Sequence, residues 1–371
     1  GNECFIVRFS DGSEIVADAE HQWLVHSQGA RNRLAALARR AANPHPPSKY
    51  ARNQSHLANR PEVSPTEELA ASLVRGERPH SIPCAGPVEK APREFEVDPY
   101  VLGAWLGDGH TAAARMTCHV DDLGHLLSQF KETGERIGKL HTSDDRPNVA
   151  TFSFGVAEHR GKDKEKTANA RLRRIGVIGN KHIPEDYLNG SISQRLALLQ
   201  GIVDTDGSVN ARGLVDIGLS DERLARDVHA LALSLGLRAV LTKRPTTSKD
   251  GWRIKWTSML PVARLPRKAA RLRRAPIGAG TRASHRYIVG IDPIPSVPVK
   301  CIEVDAPDRL YLAGRNYIPT HNSTLSLDMI RAITTGGQFL GWRGPKGGAR
   351  ALVIDVEQDV SIAQRRIGET W

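Results

Sequence analysis

The chain has 371 residues, 40% of them hydrophobic, and 52 Lys and Arg against 41 Asp and Glu give it a formal net charge of +11. That length exceeds one ordinary domain and suits two or three. No apolar run reaches the ~18 residues of a membrane span, and Cys4, Cys84, Cys118 and Cys301 form no CxxC pair, which argues against a zinc site or a disulfide framework and fits a reducing cytoplasm. The basic balance favours a polyanionic partner. It is concentrated in Arg264, Arg267, Lys268, Arg271, Arg273, Arg274, Arg282 and Arg286, a run that reads as nucleic-acid contact or as a solvated charged segment.

In chain order, Gly1-Asn2-Glu3-Cys4 lacks an initiator Met and a secretion signal, and the chain opens directly in a strand, so its true start is expected upstream. Residues 1–25 alternate like β structure around the turn Ser10-Asp11-Gly12, a hairpin signal. Residues 27–60 are rich in Arg, Asn and Pro and read as an inserted arm. Ser64-Pro65-Thr66 opens a short helix, with Ser64 as cap and Pro65 as its first residue.

A repeat begins near residue 97. Its first unit is Val101-Leu102-Gly103-Ala104-Trp105-Leu106-Gly107-Asp108-Gly109, followed by a strand at 114–118 and an acid-capped helix from Asp121-Asp122. The second is Leu199-Gln200-Gly201-Ile202-Val203-Asp204-Thr205-Asp206-Gly207, then a strand at 214–219 and a helix capped at Ser220 that runs to Gly236. Each apolar helix ends in Asp-Gly. An acid at a helix C-terminus is unfavourable by ~0.3–1 kcal/mol, so two such acids call for a compensating cation. If the helices pack side by side through Gly103, Gly107 and Gly201, Asp108 and Asp206 meet and suit Mg²⁺. Asp204 reads as a helix-side acid, and His110, His119 and His182 as non-catalytic.

These two nonapeptides resemble the paired motifs of LAGLIDADG homing endonucleases. The resemblance implies a pseudo-twofold αββαββα domain, catalytic and metal-binding roles for Asp108 and Asp206, and a basic active-site residue at Lys181 in Lys181-His182-Ile183-Pro184. It also implies a second lysine at Lys243, Mg²⁺ as cofactor, and double-stranded DNA as partner, read by β-ribbons in the major groove.

The end of the β-rich region, Thr320-His321-Asn322-Ser323, carries a different chemistry. An asparagine side-chain amide attacks its own peptide carbonyl, a neighbouring histidine moves protons, and a following hydroxyl receives an acyl group. This stretch resembles an intein C-terminus, and Asp18-Ala19-Glu20-His21-Gln22-Trp23 resembles the matching N-terminal block, with His21 activating the upstream bond. Trp23, Cys301 and Thr320 match the pattern of class 3 inteins, which implies Cys301 as the nucleophile, then transfer to Ser323 and cyclisation of Asn322. After Asn322 comes a helix-like stretch stopped by Gly336-Gly337 and a buried strand at 351–355. It resembles the second half of a P-loop in a RecA-like ATPase, with Glu357 as its water-activating acid.

The expected architecture is α+β: a β-rich Hint splicing domain at 1–95 and 263–322, with the arm at 27–60. An endonuclease domain is inserted at 96–262, and 323–371 is C-terminal extein of the host. The element acts as a monomer on DNA and on its own exteins in cis, away from membranes. The rival readings are a DNA-binding, maturase-like or inactive element of the same fold, and an accessory region of a P-loop ATPase.

Overall fold

The computed structural model describes residues 3–32, 62–77, 79–157, 164–245, 251–257, 260–272, 285–298, 302, 304, 306, 310–321, 331–339 and 342–350. The chain starts with β1 (Cys4–Phe9) and β2 (Glu14–Asp18), an antiparallel hairpin closed by the Ser10-Asp11-Gly12 turn, where Gly12 has φ 82°. β3 (Gln22–Val25) pairs with β4 (Glu62–Pro65), which runs into α1 (Thr66–Val74). The start of α1 differs from expectation: Ser64 is paired with Trp23 inside β4, so Pro65 holds the cap position and makes no side-chain capping bond. β5 (Ser81–Pro83) completes this part.

The repeated units come next. α2 (Pro99–Asp108) leads to a single bridge between Gly109 and Met116, then β6 (Arg115–His119), α3 (Val120–Glu132), the hairpin β7 (Ile137–Ser143) and β8 (Arg146–Phe154), and α4 (Ala168–Arg174). After α5 (Glu185–Leu188), the second unit runs α6 (Ile192–Thr205), β9 (Gly207–Val209), β10 (Leu214–Leu219), α7 (Glu222–Ser234), β11 (Val240–Arg244), β12 (Gly251–Thr257) and α8 (Pro266–Ala269). Each half is αββαββα, the first strand of the first half being reduced to the Gly109 bridge. The sheets are ordered β6-β8-β7 and β11-β12-β10-β9.

Two expected caps move by one or two residues. His119 caps α3 by accepting the Asp121 N–H on Nδ1, with Asp121 and Asp122 in the first turn. Asp221, not Ser220, caps α7 through the Leu224 N–H at 2.8 Å. The second unit also extends past the expected boundary at 262. Val262, Ala263 and Leu265 are buried, the first two in the core of the repeated units, and Leu272 packs against that core.

The chain then returns to the first part through β13 (His285–Ile294), β14 (Leu310–Ala313) and β15 (Ile318–His321), giving sheets ordered β2-β1-β13-β5 and β14-β15-β3-β4. A buried Arg286–Asp11 ion pair at 2.5 Å joins these segments. Arg286 also donates to Asn316 O at 2.6 Å, beside Tyr317, whose φ is 50°. Residues 331–335 are helical and stop at Gly336, φ 72°, as expected, before the short pair β16 (Gln338–Phe339) and β17 (Trp342–Arg343). Among the described residues no helix is long and apolar enough to cross a membrane.

The repeated units meet where α2 crosses α6 with no side chain between the backbones. A Cβ on Gly103 would strike the Leu198 carbonyl, and one on Gly201 would strike the Tyr100 carbonyl and the Ala104 nitrogen. Backbone cannot yield as a flexible side chain can, so Gly201→Val should cost ~3 kcal/mol or more, read as a fall in Tm on thermal unfolding. Gly124, exposed within α3 with nothing within 4 Å of an added Cβ, is the control: Gly124→Ala should stabilise by ~0.5–1 kcal/mol.

Candidate active site at the paired helix ends

Because α2 and α6 cross at their glycines, their C-terminal ends arrive together. Asp108 is the last residue of α2 and Asp206 follows the last residue of α6. A Cβ built on Gly107 would lie 3.3 Å from Asp206 Cβ. Burial pushes the Asp206 carboxyl up to about 6, and the neighbouring Asp108 charge adds to the rise. Burial likewise raises Asp108, against the pull of Lys268 and Lys181. Two acids are thus held side by side where neither ionises easily, as expected where a dication is to bind.

Two lysines close the cluster. Lys181 Nζ donates to the carbonyls of Leu106 at 3.0 Å and Gly107 at 3.1 Å, at the end of α2, and lies 5.2 Å from the Trp105 ring centroid. Lys268 Nζ donates to Val203 O at 2.9 Å and Asp204 O at 2.6 Å, at the end of α6. Burial lowers both to about 8, and both aspartates oppose this at Lys181. Each ammonium sits on the carbonyls that a helix leaves unpaired, where cations are favoured. The pseudo-twofold relation of the helices therefore extends to their lysines.

This arrangement places the expected residues unevenly. Asp108, Asp206 and Lys181 come together. Lys243 lies elsewhere, on the exposed part of β11 with Nζ 6.0 Å from the Trp252 ring centroid. The second lysine at the cluster is Lys268, which reads in the sequence as one more charge in a basic run. That run is mostly used internally: Arg264 bonds Gln200 at 2.6 Å and Gln129 at 2.9 Å, Arg267 pairs with Asp122 at 2.5 Å, Arg271 bonds Val209 O at 3.1 Å, and Arg286 pairs with Asp11. Arg273, Arg274 and Arg282 lie outside the described residues. His110 binds Thr117 at 3.0 Å and His182 binds Asn180 O at 2.8 Å.

Mg²⁺ fits these donors. It takes one or two carboxylates and completes its shell with water and substrate phosphate, and two raised carboxylates in mutual repulsion are the donors such a site needs. Among the described residues no group of three or more His, Cys, Asp or Glu is arranged for a metal.

The second candidate site lies in the β-rich part. Trp23 and Thr320 are fully buried. His21 Nε2 is in hydrogen-bond contact with Thr320 Oγ1, and its ring meets Trp23 edge-on at 4.9 Å. Trp23 Nε1 donates to Thr66 Oγ1 at 3.0 Å, which sequence reading missed. β15 brings His321 opposite Gln22 in the backbone register. Cys301, Asn322, Ser323 and Glu357, and the side chain of His321, lie outside the described residues.

The acid pair sets a pH dependence. Asp206 titrates near 3.8 when unperturbed and near 6 in the folded chain, so the folded state binds that proton more tightly. Its contribution favours folding below about pH 4 and is lost as pH rises through 6. Without divalent metal, Asp206→Asn should therefore raise stability at about pH 7.5 by ~1 kcal/mol or more and change little at about pH 4, measured by thermal unfolding at both pH values.

Residues 193–277, from α6 through α8, match the LAGLIDADG-like domain family. The chain is 37% identical over 337 residues to the replicative DNA helicase DnaB of Mycobacterium intracellulare, covering 90% of this chain and 52% of that protein. It is 48% identical over 67 residues to DnaB of Mycobacterium leprae (strain TN), covering 18% and 10%, and 26% identical over 166 residues to the homothallic switching endonuclease of Saccharomyces cerevisiae, covering 39% and 28%. Mesophilic variants of the homing endonuclease I-DmoI superpose with a TM-score of 0.34 at 13% identity, covering 47% of this chain and 95% of theirs. This chain spans about half the length of the first of the two helicases and about a tenth of the second. Residues 193–277 are thus similar to a LAGLIDADG-like domain, within a chain whose sequence is similar over most of its length to a replicative DNA helicase.

Proposed function

We propose that the chain is the C-terminal part of an intein carrying a homing endonuclease, followed by the first residues of a helicase extein. The observation that carries the nuclease reading is the joint placement of Asp108 and Asp206 at two touching helix ends, with Lys181 and Lys268 beside them. Asp108 and Asp206 would hold Mg²⁺. When bound, the metal supplies charge stabilisation at the phosphate and a more acidic water. The chain's own share is orientation and electrostatics. The two helix ends fix the carboxylates, and Lys181 and Lys268, with lowered affinity for their protons, stand ready to stabilise the departing oxygen or to pass a proton to it. The two sheets β6-β8-β7 and β11-β12-β10-β9 would lie along the duplex, with Arg253 and Lys255 on β12. The similarity to a yeast switching endonuclease supports cleavage of double-stranded DNA as the reaction.

For the splicing part, the support is the convergence of His21, Trp23 and Thr320 from opposite ends of the chain. In the proposed sequence the Cys301 thiolate attacks the carbonyl of the upstream junction. A thioester forms, the peptide C–N bond breaks, and its nitrogen takes a proton. The acyl group then moves to Ser323 Oγ and returns the thiol. Asn322 closes on its own carbonyl and releases the amine of Ser323, to which the acyl group shifts. His21, in contact with Thr320, would serve the upstream step. The Hint fold, the host boundary at Ser323 and the monomeric state belong to this proposal, as does an extein of P-loop ATPase type, to which the helicase similarity lends weight.

The nuclease test is plasmid cleavage. The purified chain with Mg²⁺ should linearise a plasmid bearing the uninterrupted helicase gene, EDTA should stop it, and Asp108→Ala or Asp206→Ala should each lower the rate by about 10²-fold or more. Unchanged rates in both variants would remove these acids from the site. With the upstream segment restored, Cys301→Ala should abolish ligated exteins on a denaturing gel, and ligation that persists would sink the class 3 assignment.

A further inference from the structure

The two lysines at the helix ends are not held by the elements that carry them. Lys181 lies in the irregular stretch between Gly179 and α5. Lys268 lies in α8, four residues long and too short to form without outside support. Each stretch is instead fastened by a carboxylate from another helix that accepts its backbone N–H groups. Asp227 of α7 takes the Ile183 N–H at 3.0 Å, two residues beyond Lys181. Asp204 of α6, 2% exposed, takes the Arg264 N–H at 3.0 and 3.1 Å on its two oxygens and the Leu265 N–H at 3.0 Å. The Tyr100 hydroxyl donates to it at 2.8 Å, and His125 Nε2 stands 3.9 Å away. A buried carboxylate is costly unless such donors surround it. Asp204 also holds the far end of the same stretch, since its backbone carbonyl accepts from Lys268 Nζ.

We propose that Asp227 and Asp204 are positioning residues, each pinning the backbone of one lysine-bearing stretch so that Lys181 is delivered to the end of α2 and Lys268 to the end of α6. Their part in cleavage rests on the nuclease reading above. The pinning itself does not.

The test uses the full chain with Asp204→Ala and Asp227→Ala, which remove the acceptor oxygens altogether. Brief acetylation with acetic anhydride in the absence of DNA, read by mass spectrometry, reports how accessible each lysine is. Asp204→Ala should raise modification of Lys268 by about tenfold or more, as expected when hydrogen bonds to a buried charged acceptor are lost, and leave Lys181 within about twofold. Asp227→Ala should do the reverse. On a supercoiled plasmid carrying the target, each variant should accumulate nicked circles, cut in opposite strands. Both lysines opening together in either variant, or neither opening, overturns the proposal, because a merely structural acid would not separate them. Should Asp204→Ala fail to fold, Asp227→Ala, which removes a single bond from a less buried acid, decides by the same footprint. If the unaltered chain cuts no DNA, the nuclease reading falls and the acetylation pattern still decides the pinning.

Discussion

The approach of α2 to α6 at Gly103 and Gly201 is the constraint on which the site depends. Helices whose contact residues carry side chains pack with axes 8–10 Å apart. Here backbone meets backbone, with Leu198 and Tyr100 carbonyls filling the space a Cβ would need. Large residues are displaced to the flanks, where Tyr100, Trp105, Leu198 and Leu199 are wholly buried. The crossing leaves the two C-terminal ends little freedom, because a helix end is a rigid extension of its middle. Fixing the crossing fixes the position of Asp108 relative to Asp206.

That placement is electrostatically unfavourable until partners arrive. Each helix end presents unpaired carbonyls and then adds a carboxylate, so negative charge gathers twice in one partly buried place. The chain answers with one ammonium per helix, each bonded to carbonyls and not directly paired with the acid. The acids keep their oxygens for another ligand. Had the lysines paired with Asp108 and Asp206 directly, the carboxylates would have been drawn below the ordinary range, whereas burial keeps both above it and the Asp108 charge adds to the rise at Asp206. The local cost is borne by the core beneath, which is the usual pattern for sites that act on a ligand rather than on their own stability.

How much of this the sequence discloses depends on whether a residue's role is local. Asp108, Asp206 and the crossing glycines are legible because a helix end and a close approach are written in consecutive residues, and written twice. The β1–β2 turn and the strand Leu214–Leu219 are legible for the same reason. Lys268 is not, because nothing beside it in the chain distinguishes it from Arg264, Arg267 or Arg271; its role is set by Val203 and Asp204, more than sixty positions earlier. The burial of Asp204 is illegible for a related reason: it reads as a helix-side acid, and it is buried because the chain after β12 folds back over it. The caps of α1 and α7 shift because strand pairing claims Ser64 and because Asp221 offers a better-placed acceptor than Ser220.

The topology also explains how the repeated units can interrupt the β-rich part without dismantling it. The chain leaves that part after β5 and returns at β13, and these strands are neighbours, with Pro83 opposite His285 and Ile82 opposite Arg286. Exit and entry are therefore one strand spacing apart, about 5 Å, so that roughly two hundred intervening residues add little strain to the sheet and a loop-closure cost that grows only slowly with length. Among the described residues, contacts that bind the two ends of the chain together lie outside the interruption: β1 against β13, the Arg286–Asp11 pair, and His21 against Thr320. A unit placed between paired strands can acquire, keep or lose its own chemistry while the surrounding sheet goes on holding His21 at Thr320. The strand spacing at Pro83 and His285, more than any feature of either part, is what permits the one part to interrupt the other.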